Sequence, residues 1–125
     1  METVILLMSG FLCKHFLVDF VLQTPFQYRN KGTYGHAGGL LHAGLHAVGT
    51  CVVLVGCGIP VLSAIVAGVI DGIIHYHIDW AKVNLNAYYG WSSTNSESFW
   101  WLLGFDQLLH QLTYVCLITF LLKGA

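Results

Sequence analysis

Four long apolar stretches, separated by polar or glycine-bearing ones, run along the chain at about 4–22, 39–57, 60–82 and 99–122. As helices rising 1.5 Å per residue, each is long enough to cross roughly 30 Å of hydrocarbon. Gln23-Thr24-Pro25 ends the first, because the residue before a proline disfavours helix. Gly58-Ile59-Pro60 makes a tight turn after the second, and the proline is tolerated in the first turn of the third. The longer connections, PFQYRNKGTYGHAGG and NLNAYYGWSSTNSES, are polar. The pattern predicts an all-α, single-domain protein: a four-helix transmembrane bundle running up-down-up-down. Both termini then lie on one side and the two longer connections on the other.

Each apolar stretch is interrupted by an ionisable pair spaced four apart: His15/Asp19, His42/His46, His75/Asp79 and Asp106/His110. That spacing puts both members of a pair on one helical face. Asp71 extends the third pair into a stripe with His75 and Asp79. Counted inward from the connection-side ends, Asp19, His42 and Asp79 lie about three residues in, and His15, His46, His75 and Asp106 about seven. Asp71 and His110 lie about eleven in, so the layers fall roughly 4, 10 and 16 Å below that boundary. All four helices contribute, and at one end. A bundle interior ringed by His and Asp from facing helices is how carboxylate-histidine metal centres are built.

Energetics favour the same reading. A charge near the middle of a membrane helix costs about 2.5–3.5 kcal/mol, so Asp19, Asp71, Asp79 and Asp106 together need roughly 10–14 kcal/mol of compensation. Bound cations supply it: four carboxylates neutralise two divalent ions. The mixed nitrogen and oxygen donors suit zinc first, with manganese or iron as alternatives, in a cluster of two or three ions.

Composition agrees. The chain is 56% hydrophobic and 9% charged, with a mean hydropathy of +0.68. Seven histidines outnumber the five lysines and arginines, and the net charge of −1 offers no basic stripe for nucleic acid. Cys13, Cys51, Cys57 and Cys116 form no CxxC and read as buried free thiols. The N-terminal stretch lacks a basic n-region and a small-x-small cleavage site, so it reads as retained rather than as a signal peptide. Trp91, Trp100, Trp101, Tyr88 and Tyr89 cluster as an interfacial belt. Arg29, Lys31 and Lys82 sit at the connection side and Lys123 at the terminal side, which favours cytoplasmic connections and both termini outside a bacterial inner membrane.

The chemistry expected of such a cluster is hydrolytic, since paired divalent ions clamp phosphoryl oxygens and generate hydroxide near neutral pH. Asp71 and Asp79 are the candidate bases, and Lys31 with Arg29 the groups that receive phosphate charge. His36 and Gln23 complete the candidate substrate contacts. Lys14 is expected to snorkel or to pair with a carboxylate. Lys82 is expected to neutralise Asp79 or meet a headgroup, and Gly68-x-x-x-Gly72 to let helices approach closely.

The pattern HFLVDFVLQT (His15 to Thr24), Asn30-Lys31, the histidines of LLHAGLH, HIDWAK (His77 to Lys82) and DQLLH (Asp106 to His110) resembles a small bacterial and phage membrane family. That family is catalogued as domain of unknown function 3307, and the resemblance covers nearly the whole chain. The family is in turn similar to the LexA-regulated membrane-bound metal-dependent hydrolases. These are related distantly to zinc-dependent phospholipase C and single-strand nucleases, whose trinuclear zinc clusters use H-x-x-x-D and H-x-x-x-E pairs. The resemblance implies metal-ligand status for His15, Asp19, His42, His75, Asp79, Asp106 and His110, with His46 the weakest of the set. The soluble enzymes also use their N-terminal amine, which here falls at the far face.

The expectation is therefore an intramembrane metal-dependent hydrolase cutting a phosphoester of a lipid or lipid-linked substrate, with membrane lipids as partners. A homo-oligomer is compatible with this. The competing readings are an ion or proton translocator, a haem-binding electron-transfer protein, and a non-catalytic structural metal bundle. Against haem stand the acid partners one turn from each histidine. Against translocation stands the near-absence of titratable groups in the terminal-side half of every span.

Overall fold

A computed structural model describes residues 1–123. Helix α1 spans Glu2–Phe16 and runs directly into one wide π turn, Leu17–Val21. There the Leu22 N–H donates to the Leu17 carbonyl at 2.8 Å, five residues back instead of four. Such turns recur at functional sites, and this one carries Asp19.

Thr24 and Gln27 form a capping box around Pro25, so the first connection opens with a one-turn helix, α2 (Pro25–Tyr28), instead of being irregular throughout. Helix α3 (Ala37–Gly56) starts at His36, whose Nδ1 accepts the Gly38 N–H at 3.0 Å. Gly58, at φ +82°, turns the chain into α4, Val61–Tyr89. Helix α5 spans Glu97–Lys123. No strand occurs among the described residues.

The third apolar span was expected to end near Lys82, but α4 continues to Tyr89. Asn84 holds the extra turns in place: its Nδ2 donates to the Trp80 carbonyl at 2.8 Å and to the Gly32 carbonyl at 3.0 Å. Gly90, at φ +66°, then stops the helix in the left-handed conformation that glycine adopts without strain. Cys13 and Cys116 are exposed, not buried as expected, because both lie on outward faces of their helices; all four thiols are free.

The long helices α1, α3, α4 and α5 close a ring. Helix α3 packs on α4, α4 on α5, α5 on α1 and α1 on α3, so α1 faces α4 across the middle. At the α3–α4 seam, Gly68 lies against the Ala47 carbonyl and Cys51, and Gly72 against the Ala43 carbonyl. Side chains at either position would push the two backbones apart.

All four long helices are apolar and long enough to cross a membrane. Their outer faces expose residues such as Ile5, Leu62, Val66, Ile73, Phe105 and Phe120. The interior is divided lengthwise. At one end Leu7, Phe11, Leu54, Ala64, Tyr114, Leu117 and Ile118 form an apolar core. Above it most buried residues are charged or polar, chiefly Asp, His and Lys, with Val18, Ala43 and Tyr76 among them. This is the reverse of a water-soluble domain, in which ionisable side chains are seldom fully buried.

Candidate metal centre

Helix α1 supplies His15, and its π turn Asp19. Helix α3 supplies His42 and His46; α4 supplies Asp71, His75 and Asp79; α5 supplies Asp106 and His110. All are buried. The four-residue repeat makes this possible, because each helix turns the same stripe toward the ring's centre.

Asp19 anchors one group. Its Oδ1 lies 2.9 Å from Nε2 of both His42 and His46, and 3.5 Å from Nε2 of His75. Asp79 anchors a second. Its Oδ2 lies 3.2 Å from His75 Nε2 and its Oδ1 3.7 Å from His110 Nε2. In each group, Asp19/His42/His46/His75 and His75/Asp79/His110, one donor atom per residue falls within 4.8 Å of the others. His75 belongs to both.

These donors suit a divalent cation. Asp106 Oδ1 and His110 Nε2 are buried 3.4 Å apart, and neither has a hydrogen-bond partner. A buried polar atom left in that state costs about 1–3 kcal/mol. Imidazole nitrogens and carboxylate oxygens converging in a buried space form a set that zinc, manganese or iron accepts.

Two expected ligands stand beside these groups instead of inside them. His15 is held by the Tyr114 hydroxyl at its Nδ1 (2.8 Å) and by Gln107 Oε1 at its Nε2 (3.0 Å), and it touches Asp19 Oδ2 at 3.1 Å. Asp106 Oδ2 accepts from Lys82 Nζ at 2.9 Å and Gln107 Nε2 at 3.0 Å, leaving only Oδ1 toward His110. Lys82 thus pairs chiefly with Asp106, with Asp79 at 3.5 Å.

Asp71, expected as a base, lies deeper. Its Oδ2 accepts from Lys14 Nζ at 2.8 Å and from Thr50 Oγ1 at 2.6 Å, an engagement that argues for an anchoring role. Asp79 remains at the cluster. Of the candidate substrate contacts, Lys31 reaches a carboxylate of the cluster, and Gln23 reaches only the main chain of Asp19. The buried Lys31 Nζ is 2.6 Å from Asp79 Oδ2, and Gln23 Nε2 donates to the Asp19 carbonyl at 2.5 Å. The other two stay outside: Arg29 is exposed against Tyr28, and His36 is used as the helix cap. With Lys31 and Lys82 both paired to carboxylates, the orientation argument from positive charge rests on Arg29.

Lys14, Thr50, Tyr76 and Tyr114 also belong to the site, though sequence reasoning gave three of them no part and Lys14 only a generic one. A signal existed for two. Thr50 follows His46, and Tyr114 follows His110, at the same four-residue step that links each pair. Tyr76 lies between two spaces. On one side is a narrow gap bounded by Lys31, Gly39, His42 and Asp79. On the other is an open apolar groove of ≈ 370 Å³ between α3 and α4, lined by Leu40, Ala43, Gly44, Val69 and Ile73 among others.

Fold and site together define an all-helical protein, with four helices long and apolar enough to cross a membrane, around buried His/Asp groups able to hold metal. The chain belongs to the family described as protein of unknown function (DUF3307), whose model matches residues 6–124. No curated protein and no solved structure gives a significant match.

Proposed function

We propose that this protein is an intramembrane metal-dependent hydrolase that cleaves a phosphoester of a lipid or lipid-linked substrate, built as an up-down-up-down bundle. The observation that carries the proposal is the pair of His/Asp groups joined through His75, buried at one end of the ring beside the ammonium of Lys31. Asp19, His42 and His75, with His46 beside them, would hold one ion, and His75, Asp79 and His110 the other, with zinc the first choice. Bound there, two divalent ions supply Lewis acidity toward phosphoryl oxygens and water activation near neutral pH.

The chain's own groups do the rest. Lys31 releases Asp79 and takes up phosphate charge when substrate arrives, which frees Asp79 to accept a proton from water. His15 and Asp106, tied to Tyr114 and Lys82, keep their neighbours from rotating. The groove along α3 and α4 gives an acyl chain a place beside Tyr76 while the headgroup meets Lys31. The apolar core beneath the cluster weighs against a translocator, since among the described residues it buries no charged side chain to relay an ion.

The deciding experiment measures metal content and phosphodiesterase activity together. Protein purified in detergent and loaded with zinc is offered a phospholipid in mixed micelles, with phosphorus NMR following headgroup release. Turnover that vanishes with chelation and returns with zinc supports the reading. A metal-replete protein inert toward lipid phosphodiesters and phosphomonoesters alike overturns it.

A further inference from the structure

We propose that Lys14 fixes the ring proton of His46, making His46 a hydrogen-bond donor to Asp19 and not a metal ligand. Lys14 enters the ring from α1 through a slot on α3. A Cβ at Gly49 would stand 2.7 Å from Lys14 Cγ and 2.8 Å from its Cδ, so only glycine leaves room for the stem. The ammonium is then buried. It lies 2.8 Å from Asp71 Oδ2, 3.2 Å from His46 Nδ1 and 4.7 Å from the centre of the Tyr114 ring.

An ammonium has donors and no acceptor, so at the Lys14–His46 contact the Nδ1 lone pair must receive. A neutral imidazole accepting at Nδ1 carries its hydrogen on Nε2, and His46 Nε2 is 2.9 Å from Asp19 Oδ1. Both ring nitrogens of His46 are thereby used. His42 and His75 differ at Nδ1, which is buried without a partner in both. Their Nε2 atoms face each other at 3.1 Å and carboxylate oxygens besides, His42 lying 2.9 Å from the same Asp19 Oδ1 and His75 3.2 Å from Asp79 Oδ2. With no ammonium at Nδ1 to fix a hydrogen on Nε2, these two rings are the ones able to turn the Nε2 lone pair to a cation.

The consequence for metal binding rests on the function proposed above. It reduces the first group to three protein donors: Asp19, His42 and His75. Catalytic zinc sites keep three protein ligands and an open position, whereas four closed ligands mark a structural site. Lys14 thus acts as a positioning residue that keeps the fourth place free.

Nitrogen-15 NMR of histidine-labelled, metal-free protein in detergent tests the hydrogen-bond assignment without any metal, with His46→Gln identifying the His46 signals. A protonated Nε2 and bare Nδ1, with that pattern lost in Lys14→Met, support the proposal; a protonated Nδ1 overturns it, and the wild type alone decides this if Lys14→Met does not fold. Metal content and the cobalt absorption spectrum test the ligand assignment. His46→Gln should keep the wild-type zinc content and cobalt spectrum, whereas His42→Gln should lose about one ion per chain. Equal loss from both variants overturns it. Wild-type protein that takes up no metal would refute the hydrolase reading, while the NMR result would still decide the role of Lys14.

Discussion

His75 Nε2 lies 3.2 Å from Asp79 Oδ2 and within 3.5 Å of Asp19 Oδ1, so one imidazole of α4 reaches the carboxylates that anchor both groups. Its ring also stacks between those of His46 and His110, with centroids 3.5 and 4.0 Å away. Removing it should therefore damage both groups at once. His75→Ala is expected to empty the site, and His110→Ala to remove about one ion, since a three-donor group deprived of one ligand binds weakly. Elemental analysis of the purified variants checks this; a His75→Ala protein that keeps its full metal content would contradict it.

Lys31 gives a prediction about chemistry without metal loss. Its ammonium reaches Asp79 from the connection following α2, so Lys31→Met should leave metal content close to wild type. Losing one charge-stabilising group at a phosphoryl site costs about 10²–10³ in turnover. The expected result is that loss in kcat toward a lipid phosphodiester, with Lys31→Arg partly active. Unchanged turnover in Lys31→Met would remove the residue from the mechanism.

The placement of Lys31 depends in turn on Gly38. A Cβ there would collide with the backbone carbonyl of Phe26 and come within 3.1 Å of Asn30 Cβ, and a backbone carbonyl cannot swing aside as a side chain can. Gly38→Ala should cost about 1–3 kcal/mol, as overpacking does, and displace α2 with the connection that carries Lys31. Gly44→Ala is the control, because its Cβ would meet nothing within 4 Å. Unfolding in detergent micelles should separate the two; equal stability would mean that α2 does not dock as described.

Much of this was legible in the residues. The His/Asp pairs fall on one face by helical arithmetic, and apolar length alone located the four long helices. Other features depend on partners distant in the chain. The end of α4 was misplaced because Asn84 and Asn86 look like loop residues until Gly32 is seen to accept from Asn84. Gly90 was the local clue, a glycine in place to stop a helix. Asp71 looked like a free base because nothing in the sequence tells that Lys14 passes over Gly49 to meet it. His15 and His75 are each followed by an aspartate four residues on, yet Tyr114 and Gln107 hold only the first.

If the substrate is a lipid as proposed, the groove between α3 and α4 should distinguish it from a soluble one. Gly44 lines it and has open space at its Cβ, so a large apolar side chain there fills the groove without touching the cluster behind Tyr76. Gly44→Leu should fold and keep its metal. For a long-chain phospholipid its KM should rise by about tenfold, since excluding even two methylenes from an apolar site forfeits roughly 1.6 kcal/mol at 0.8 kcal/mol each. For a short, water-soluble phosphodiester, which has no chain to seat, the kinetics should match wild type. Parallel kinetics on the two substrates check this. An equal loss on both would place the effect in the cluster, and no loss on either would show that the acyl chain lies elsewhere.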